Sequence, residues 1–181
     1  TADKDIILRS DDGSGGIATY ITLDGSDTRI LITKDMRFSD NVKGLFGFSN
    51  DLQIYHDSSN SYIQNETGNL TIFNKQDDGD IIFASDDGSG GTATYFYLDG
   101  STVMNRFVQH VQLDDNIELR LGTNQDLRLE HTGSNGTISN FTGHLTIQNN
   151  TDGADIVFKS DNGSGGTTTY LQIDGGSTRT R

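Results

Sequence analysis

The sequence predicts an all-β protein, an elongated and fibrous repeat of short strands. A segment recurs at one constant offset, with no insertion or deletion, and a fixed period of this kind is typical of repeat proteins whose units pack mainly on their neighbours. Within the repeat, apolar and polar residues alternate, as in a strand that buries one face. No stretch combines the apolar spacing of a helix with a capping signal.

The repeat is clearest in one acidic, glycine-rich motif. Residues 5–16 return at residues 80–91 and again at residues 155–166, so that the same offset separates positions 5, 80 and 155. The chain therefore divides into a partial repeat, two full repeats and the start of a further repeat or tail, at residues 1–25, 26–100, 101–175 and 176–181.

The composition argues against an ordinary globular core. Apolar residues make up 31% of the chain and the net charge is −13, values that would indicate disorder if the apolar pattern were irregular. Because the pattern is regular, we expect the chain to complete its core with copies of itself. The predicted assembly is an intertwined homotrimer that resembles a β-prism or a triple β-helix. The alternative is a single-chain β-solenoid.

Several classes of function are disfavoured by the composition. Cys is absent, so there is no disulfide framework and no thiol nucleophile. No apolar run approaches the length of a membrane span, and the strong acidity would repel nucleic acid. Acidic residues recur with the turns, whereas a catalytic pair should occur once. We therefore expect no enzymatic activity and no cofactor.

The first predicted element is a hairpin. The run Ile6-Ile7-Leu8 is apolar in every copy, so we expect a strand buried on both sides, between chains. The turn at residues 10–16 joins the strand Ile6–Arg9 to a second strand, Thr19–Leu23. An Asp-Gly turn at residues 24–25 ends the hairpin. The predicted structural turn glycines are Gly13, Gly15, Gly16, Gly88, Gly90, Gly91, Gly163, Gly165 and Gly166.

The remaining elements are also predicted to be short strands. The stretch Lys34–Val42 is the best helix candidate, but its copy at residues 109–117 fits a strand equally well, so little or no helix is expected. Some pairs of apolar residues are separated by one variable residue, and the corresponding positions of the next repeat are also apolar. This alternation indicates strands. These pairs are Met36 and Phe38 with Val111 and Leu113, Leu52 and Ile54 with Leu127 and Leu129, and Leu70 and Ile72 with Leu145 and Ile147.

One region resembles a known family. Residues 47–63, Gly-Phe-Ser-Asn-Asp-Leu-Gln-Ile-Tyr-His-Asp-Ser-Ser-Asn-Ser-Tyr-Ile, are followed by Gly-Asn-Leu-Thr-Ile at residues 68–72. This sequence resembles a repeat in tail-fibre and virion structural proteins of marine tailed phages, cyanophages especially. The motif at residues 80–91 is similar to the second half of that repeat, and a weaker copy lies at residues 122–147.

The resemblance implies a function in the virion. Such proteins look like β-rich trimeric fibres with receptor-binding tips, often followed by a chaperone segment that nothing in this chain resembles. The implied role is a structural shaft segment of a phage tail fibre, extracellular, which holds the tip and mediates host attachment. The implied partners are copies of the chain, other tail or virion proteins, and host surface polysaccharide.

Three kinds of site are candidates. His56 and His131 lie one period apart and in phase with inward apolar residues, so three copies on a trimer axis could bind a metal. Tyr55 and Tyr62 could bind a ligand, and Tyr55 has the non-aromatic counterpart Glu130. The acidic turns offer oxygen ligands for Ca²⁺, although their spacing matches neither the Gly-Gly-x-Gly-x-Asp array of calcium β-rolls nor the twelve-residue EF-hand loop, and a solvated turn explains them better.

Two other functions are alternatives. The chain could be a glycan-binding module of the fibre, in which exposed turns or aromatic residues contact polysaccharide. It could also be a subunit of a self-assembling extracellular filament, because the same strand pairing would build one.

Overall fold

The computed structural model describes residues 4–177 and 179–180. Residues 1–3 of the first predicted segment, and residues 178 and 181 of the last, lie outside that description. The described chain forms five antiparallel three-stranded sheets and contains no helix. The all-β prediction is therefore confirmed. Among these residues there is no helical segment that could cross a membrane.

The chain divides into two compact units, Thr1–Gly79 and Asp80–Arg181. The second unit begins at the second copy of the acidic motif. Strands of the first unit are β1 Ile6–Asp11, β2 Ile17–Asp24, β3 Arg29–Ile32, β4 Gly44–Phe46, β5 Leu52–His56 and β6 Ser61–Asn65. Strands of the second unit are β7 Ile81–Asp86, β8 Thr92–Asp99, β9 Met104–Phe107, β10 Leu119–Leu121, β11 Leu127–His131, β12 Gly136–Asn140, β13 Ile156–Asp161, β14 Thr167–Asp174 and β15 Arg179–Thr180.

Each sheet pairs three consecutive strands in chain order. The predicted first hairpin is confirmed, and its strands are longer than expected, so that only residues 12–16 form the turn. The register places Leu8 opposite Ile21 and Arg9 opposite Thr19, which leaves Tyr20 as an extra residue in a bulge. The same bulge recurs at Tyr95 in β8 and at Tyr170 in β14.

Two pairs of predicted strands do not form within the single chain. The segments around Met36 and Phe38 and around Leu70 and Ile72 belong to no strand, and neither do their copies at residues 111–113 and 145–147. Alternation shows that a segment suits a one-sided apolar environment. It does not supply the neighbouring strand that a sheet requires, and this chain places none beside these segments.

No apolar side chain is buried in the described part of the chain. The one buried residue there is polar, Asp99, which is 8% exposed. Ile6, Ile7 and Leu8, predicted to be buried on both sides between chains, are all exposed in the single chain. Their burial therefore stays a prediction about an assembly.

Candidate functional site

The two faces of the sheet β4–β5–β6 differ in composition. Residues paired across antiparallel strands point to the same face. Phe46 pairs with Leu52, and Ile54 with Ile63, so these four side chains share one face. Gln53 and Tyr55 lie on the other face, together with their paired residues Gln64 and Tyr62. One face of this sheet is therefore largely apolar.

The second repeat keeps the first face and changes the other. In the sheet β10–β11–β12 the positions of the first face hold Leu121, Leu127, Leu129 and Ile138. The positions of the other face hold Arg128, Ser139, Glu130 and Thr137. We call the first the apolar face and the second the variable face. A face that stays apolar while its opposite side drifts is typical of a buried surface.

Sheets β1–β2–β3, β7–β8–β9 and β13–β14–β15 carry a matching apolar row. Leu8, Ile21 and Ile32 are paired across the first of these sheets. One period later the row consists of Phe83, Phe96 and Phe107, whose neighbouring ring centroids are 4.4 and 5.7 Å apart. In the third sheet Phe158 pairs with Leu171. These rows belong to the apolar face of their sheets.

Segments outside the strands extend the apolar face of each repeat. Met36 and Phe38 line an open groove of about 700 Å³ together with Ile54 and Ile63. Val111 and Leu113 line a second groove of about 530 Å³ together with Leu129 and Ile138. Each of the four residues in the first groove has its counterpart, one repeat later, in the second groove. The same concave apolar surface is therefore built twice.

The chain exposes more surface than a folded monomer of its size. Its accessible surface is 14910 Å². A folded monomer of 19.7 kDa is expected to expose about 8600 Å². The excess is about 6000 Å², which is comparable with the area buried in large obligate interfaces.

Both predicted metal-binding histidines lie at the end of an apolar face. His56 follows Ile54 and pairs with Ser61, and its Nδ1 lies 3.1 Å from the Ser61 Oγ. His131 occupies the same place in the second repeat, and its Nδ1 lies 2.8 Å from Asp115 Oδ1. The Nε2 atoms are thus the nitrogens left for a ligand. One chain offers a single imidazole at each position, so the axial metal site stays a prediction that requires three chains.

The predicted ligand-binding tyrosines lie on the variable face. The Tyr55 and Tyr62 rings are stacked with centroids 4.8 Å apart, and Lys43 Nζ lies 4.4 Å from the Tyr55 centroid. The Tyr55 hydroxyl donates to Gln64 Oε1 and the Tyr62 hydroxyl donates to Asp57 Oδ2. Asp57 holds the pKa of the Tyr62 phenol above its usual value, mainly through this hydrogen bond. Lys43 and Tyr62, from the two sides of β5, flank the Tyr55 ring.

The acidic turns use their carboxylates to hold the backbone. Asp12 Oδ1 accepts hydrogen bonds from the Ser14 N–H at 2.8 Å and the Gly16 N–H at 3.0 Å. These donors, Ser14 first, hold the pKa of Asp12 below its usual value. Gly13 has a φ of 83°, a conformation that glycine adopts without strain. In the third copy Asn162 Oδ1 accepts the same two bonds.

Calcium at these turns stays a prediction. Within one chain, the described residues include no group of three His, Cys, Asp or Glu side chains that could hold a metal ion. The hydrogen bonds that Asp12 and Asn162 accept from the backbone give the turns a structural role.

Two recurring contacts were not expected from the sequence. The bulge residue Tyr20 donates its hydroxyl hydrogen to the Asp11 carbonyl, 2.9 Å away, and Tyr95 and Tyr170 make the same contact. Asp5 Oδ1 accepts a hydrogen bond from the Gly25 N–H at 3.0 Å, across the open end of the hairpin. The same hydrogen bond recurs in both later copies. The recurrence of both residues at the period of the repeat is the signal that could have found them.

A search of protein-family models, of curated proteins and of solved structures returned no match to this chain.

Proposed function

We propose that this chain is a structural shaft segment of a phage-type tail fibre, in which three copies share one interior. The observation that carries the proposal is the absence of a buried hydrophobic core: no apolar side chain of the described residues is buried. Hydrophobic burial is the dominant favourable term in folding. A chain without a buried core therefore needs partners to complete this burial, and copies of itself supply the same apolar faces.

The repeat explains why the partner is a copy of the chain. The apolar positions return once in each repeat, at the offset that separates positions 5 and 80, and every sheet presents them. A second chain with the same spacing would match all of these faces at once, whereas an unrelated protein would have to reproduce the period. Closed rotational symmetry, with three chains around one axis, would let each apolar face meet the other two.

The polar side of the sheets suits the outside of a fibre. The variable face carries Arg128 and Glu130 in one repeat and Gln53 in the other, and the chain has a net charge of −13. A charged surface keeps an assembled rod soluble and prevents rods from associating side by side. Its mechanical function, to hold a receptor-binding tip away from the particle, follows from stiffness rather than from chemistry.

The assignment to a phage fibre rests on the resemblance of residues 47–72 to tail-fibre repeats. It places the chain on the virion, outside the cell, with other tail proteins as partners and host attachment as its purpose. Catalysis has no part in the proposal.

The proposal is tested by the mass of the full chain in solution, measured by light scattering with and without mild denaturant. We expect three times the 19.7 kDa of one chain, and loss of this mass in the same step as loss of β structure. A compact monomer that stays folded at nanomolar concentration would overturn the proposal. Micrographs that show long end-to-end polymers would select the filament instead of the fibre.

A further inference from the structure

Two segments of the chain resemble strands but pair with no other strand of the described residues. Residues 69–73 and 144–148 run without a turn or bend and belong to no sheet. Both contain Leu-Thr-Ile, at residues 70–72 and 145–147, and both follow a glycine, Gly68 or Gly143. We call them the unpaired segments.

Side chains of the unpaired segments alternate as they do in a strand. Leu70 and Ile72 are exposed and Thr71 lies between them, and Leu145, Thr146 and Ile147 repeat the arrangement. Thr and Ile are favoured in strands because their branched side chains fit a pleated surface. The segments therefore have the composition of a strand with one apolar face.

Backbone groups of the unpaired segments have no partner within the described chain. No N–H or C=O group of residues 69–73 or 144–148 takes part in a backbone hydrogen bond, either in a sheet or in a turn. The side-chain bonds nearby end on the carbonyls of Thr67 and Gly68, and on those of Thr142 and Gly143. Both edges of each segment are thus free to accept another strand.

We infer that the unpaired segments are the strands through which neighbouring copies of this chain pair with one another. The inference rests on the proposed homotrimer and adds where its backbone hydrogen bonds form. Strand addition to a free edge is a common mode of recognition in which main-chain bonds provide affinity. Pairing would also turn Leu70 and Ile72 of each copy towards apolar surface of its neighbours.

The occupant is a second copy for three reasons. The excess surface of the chain, with 14910 Å² exposed against about 8600 Å² expected, is large enough for an intertwined interface. The unpaired segments occur once in each repeat, at the spacing of the apolar faces. Their Leu-Thr-Ile sequences are identical, so copies aligned in register, or shifted by one repeat, would present matching strands.

Hydrogen–deuterium exchange of the full chain tests the inference. We expect the peptides that cover residues 69–73 and 144–148 to exchange as slowly as those that cover β5 and β11. Rapid exchange in these peptides, in a sample whose mass is that of a trimer, would overturn the inference and leave the proposed function standing. A monomeric mass would overturn both.

Proline substitution provides a second test. Thr71→Pro combined with Thr146→Pro removes two backbone N–H groups that bond no backbone group within the described chain, and it restricts the preceding leucines to extended conformations that a strand already uses. If copies pair here, each proline also breaks a strand ladder, and association should weaken by about tenfold or more.

The matched control is Thr71→Val combined with Thr146→Val. Valine keeps both N–H groups and favours the strand conformation, so the trimer should persist at the same concentration as for the unchanged chain. Equal association of the proline and valine variants, measured by light scattering over a dilution series, would overturn the inference.

Discussion

Phe107→Ala measures how much of the apolar face is covered in solution. Phe107 lies on the edge strand β9, where its ring centroid is 5.7 Å from that of Phe96. In the single chain Phe107 is 60% exposed. Its counterpart one period earlier is Ile32, so the position is apolar in both repeats. The cost of truncation depends on whether a neighbouring copy covers the remaining surface.

The two cases differ in magnitude. A phenylalanine buries about 200 Å² when it is fully covered, so with 60% exposed roughly 80 Å² of Phe107 is covered within the chain. At about 25 cal/mol per Å², truncation should cost about 2 kcal/mol per chain for a lone chain. It should cost about 5 kcal/mol per chain if neighbours complete the burial, near the upper end of the range for buried phenylalanine.

Phe48→Ala is the matched control. Phe48 lies in the loop between β4 and β5, is 106% exposed, and has the polar counterpart Thr123 in the next repeat. Removing the same phenyl ring at this position should change stability by less than about 0.5 kcal/mol.

Urea unfolding followed by circular dichroism, at several protein concentrations, measures both variants. The expected result is a large loss for Phe107→Ala, a midpoint that depends on protein concentration, and no change for Phe48→Ala. A loss of only about 2 kcal/mol, with a midpoint independent of concentration, is the outcome for a lone chain and would refute the assignment of the apolar face to an interface.

Three further predictions concern the turns and the bulge. Gly88→Ala should destabilise by about 1–2 kcal/mol because Gly88 has a φ of 81°. The control Gly136→Ala should be tolerated, since a Cβ there meets nothing within 4 Å; thermal unfolding compares the two. Tyr95→Phe removes the hydroxyl that donates to the Asp86 carbonyl at 3.0 Å and should lower the unfolding free energy by about 1 kcal/mol; an unchanged free energy would contradict a stabilising role for this contact. A hydrogen bond from Ser89 holds the pKa of Asp87 below its usual value. A hydrogen bond from Ser101 lowers the pKa of Asp99 to about 2. Because these pKa values are lower in the folded than in the unfolded chain, stability should be full above about pH 4 and fall towards pH 2; Asp87→Asn should flatten this acid dependence, and an unchanged profile would contradict it.

Short-range features were predictable from residues alone. The Asp-Gly-Ser-Gly-Gly turn identified the first hairpin because glycine, aspartate and serine determine turn geometry locally. The alternation of Leu52 and Ile54 identified β5, since its neighbours β4 and β6 follow closely along the chain. In both cases the partner strand is the adjacent one, so local sequence was sufficient.

Other features depended on the three-dimensional arrangement. Leu70 and Ile72 show the same alternation as Leu52 and Ile54, yet residues 69–73 form no strand within the chain. The bulge at Tyr20 was also missed, because its hydroxyl contact with the Asp11 carbonyl crosses the hairpin. The sequence named the candidate histidines and tyrosines, but only the strand register separated them, with His56 on the apolar face and Tyr55 on the variable face.

The sequence by itself determined the period, the β character and the turns, because these depend on contacts between residues that are near in the chain. Only the tertiary structure decided that the apolar rows of Ile54 and Phe107 are exposed and that the Leu-Thr-Ile segments lack strand partners among the described residues. Periodicity records which side chains avoid water, whereas the position of the surface that covers them depends on the packing of whole sheets.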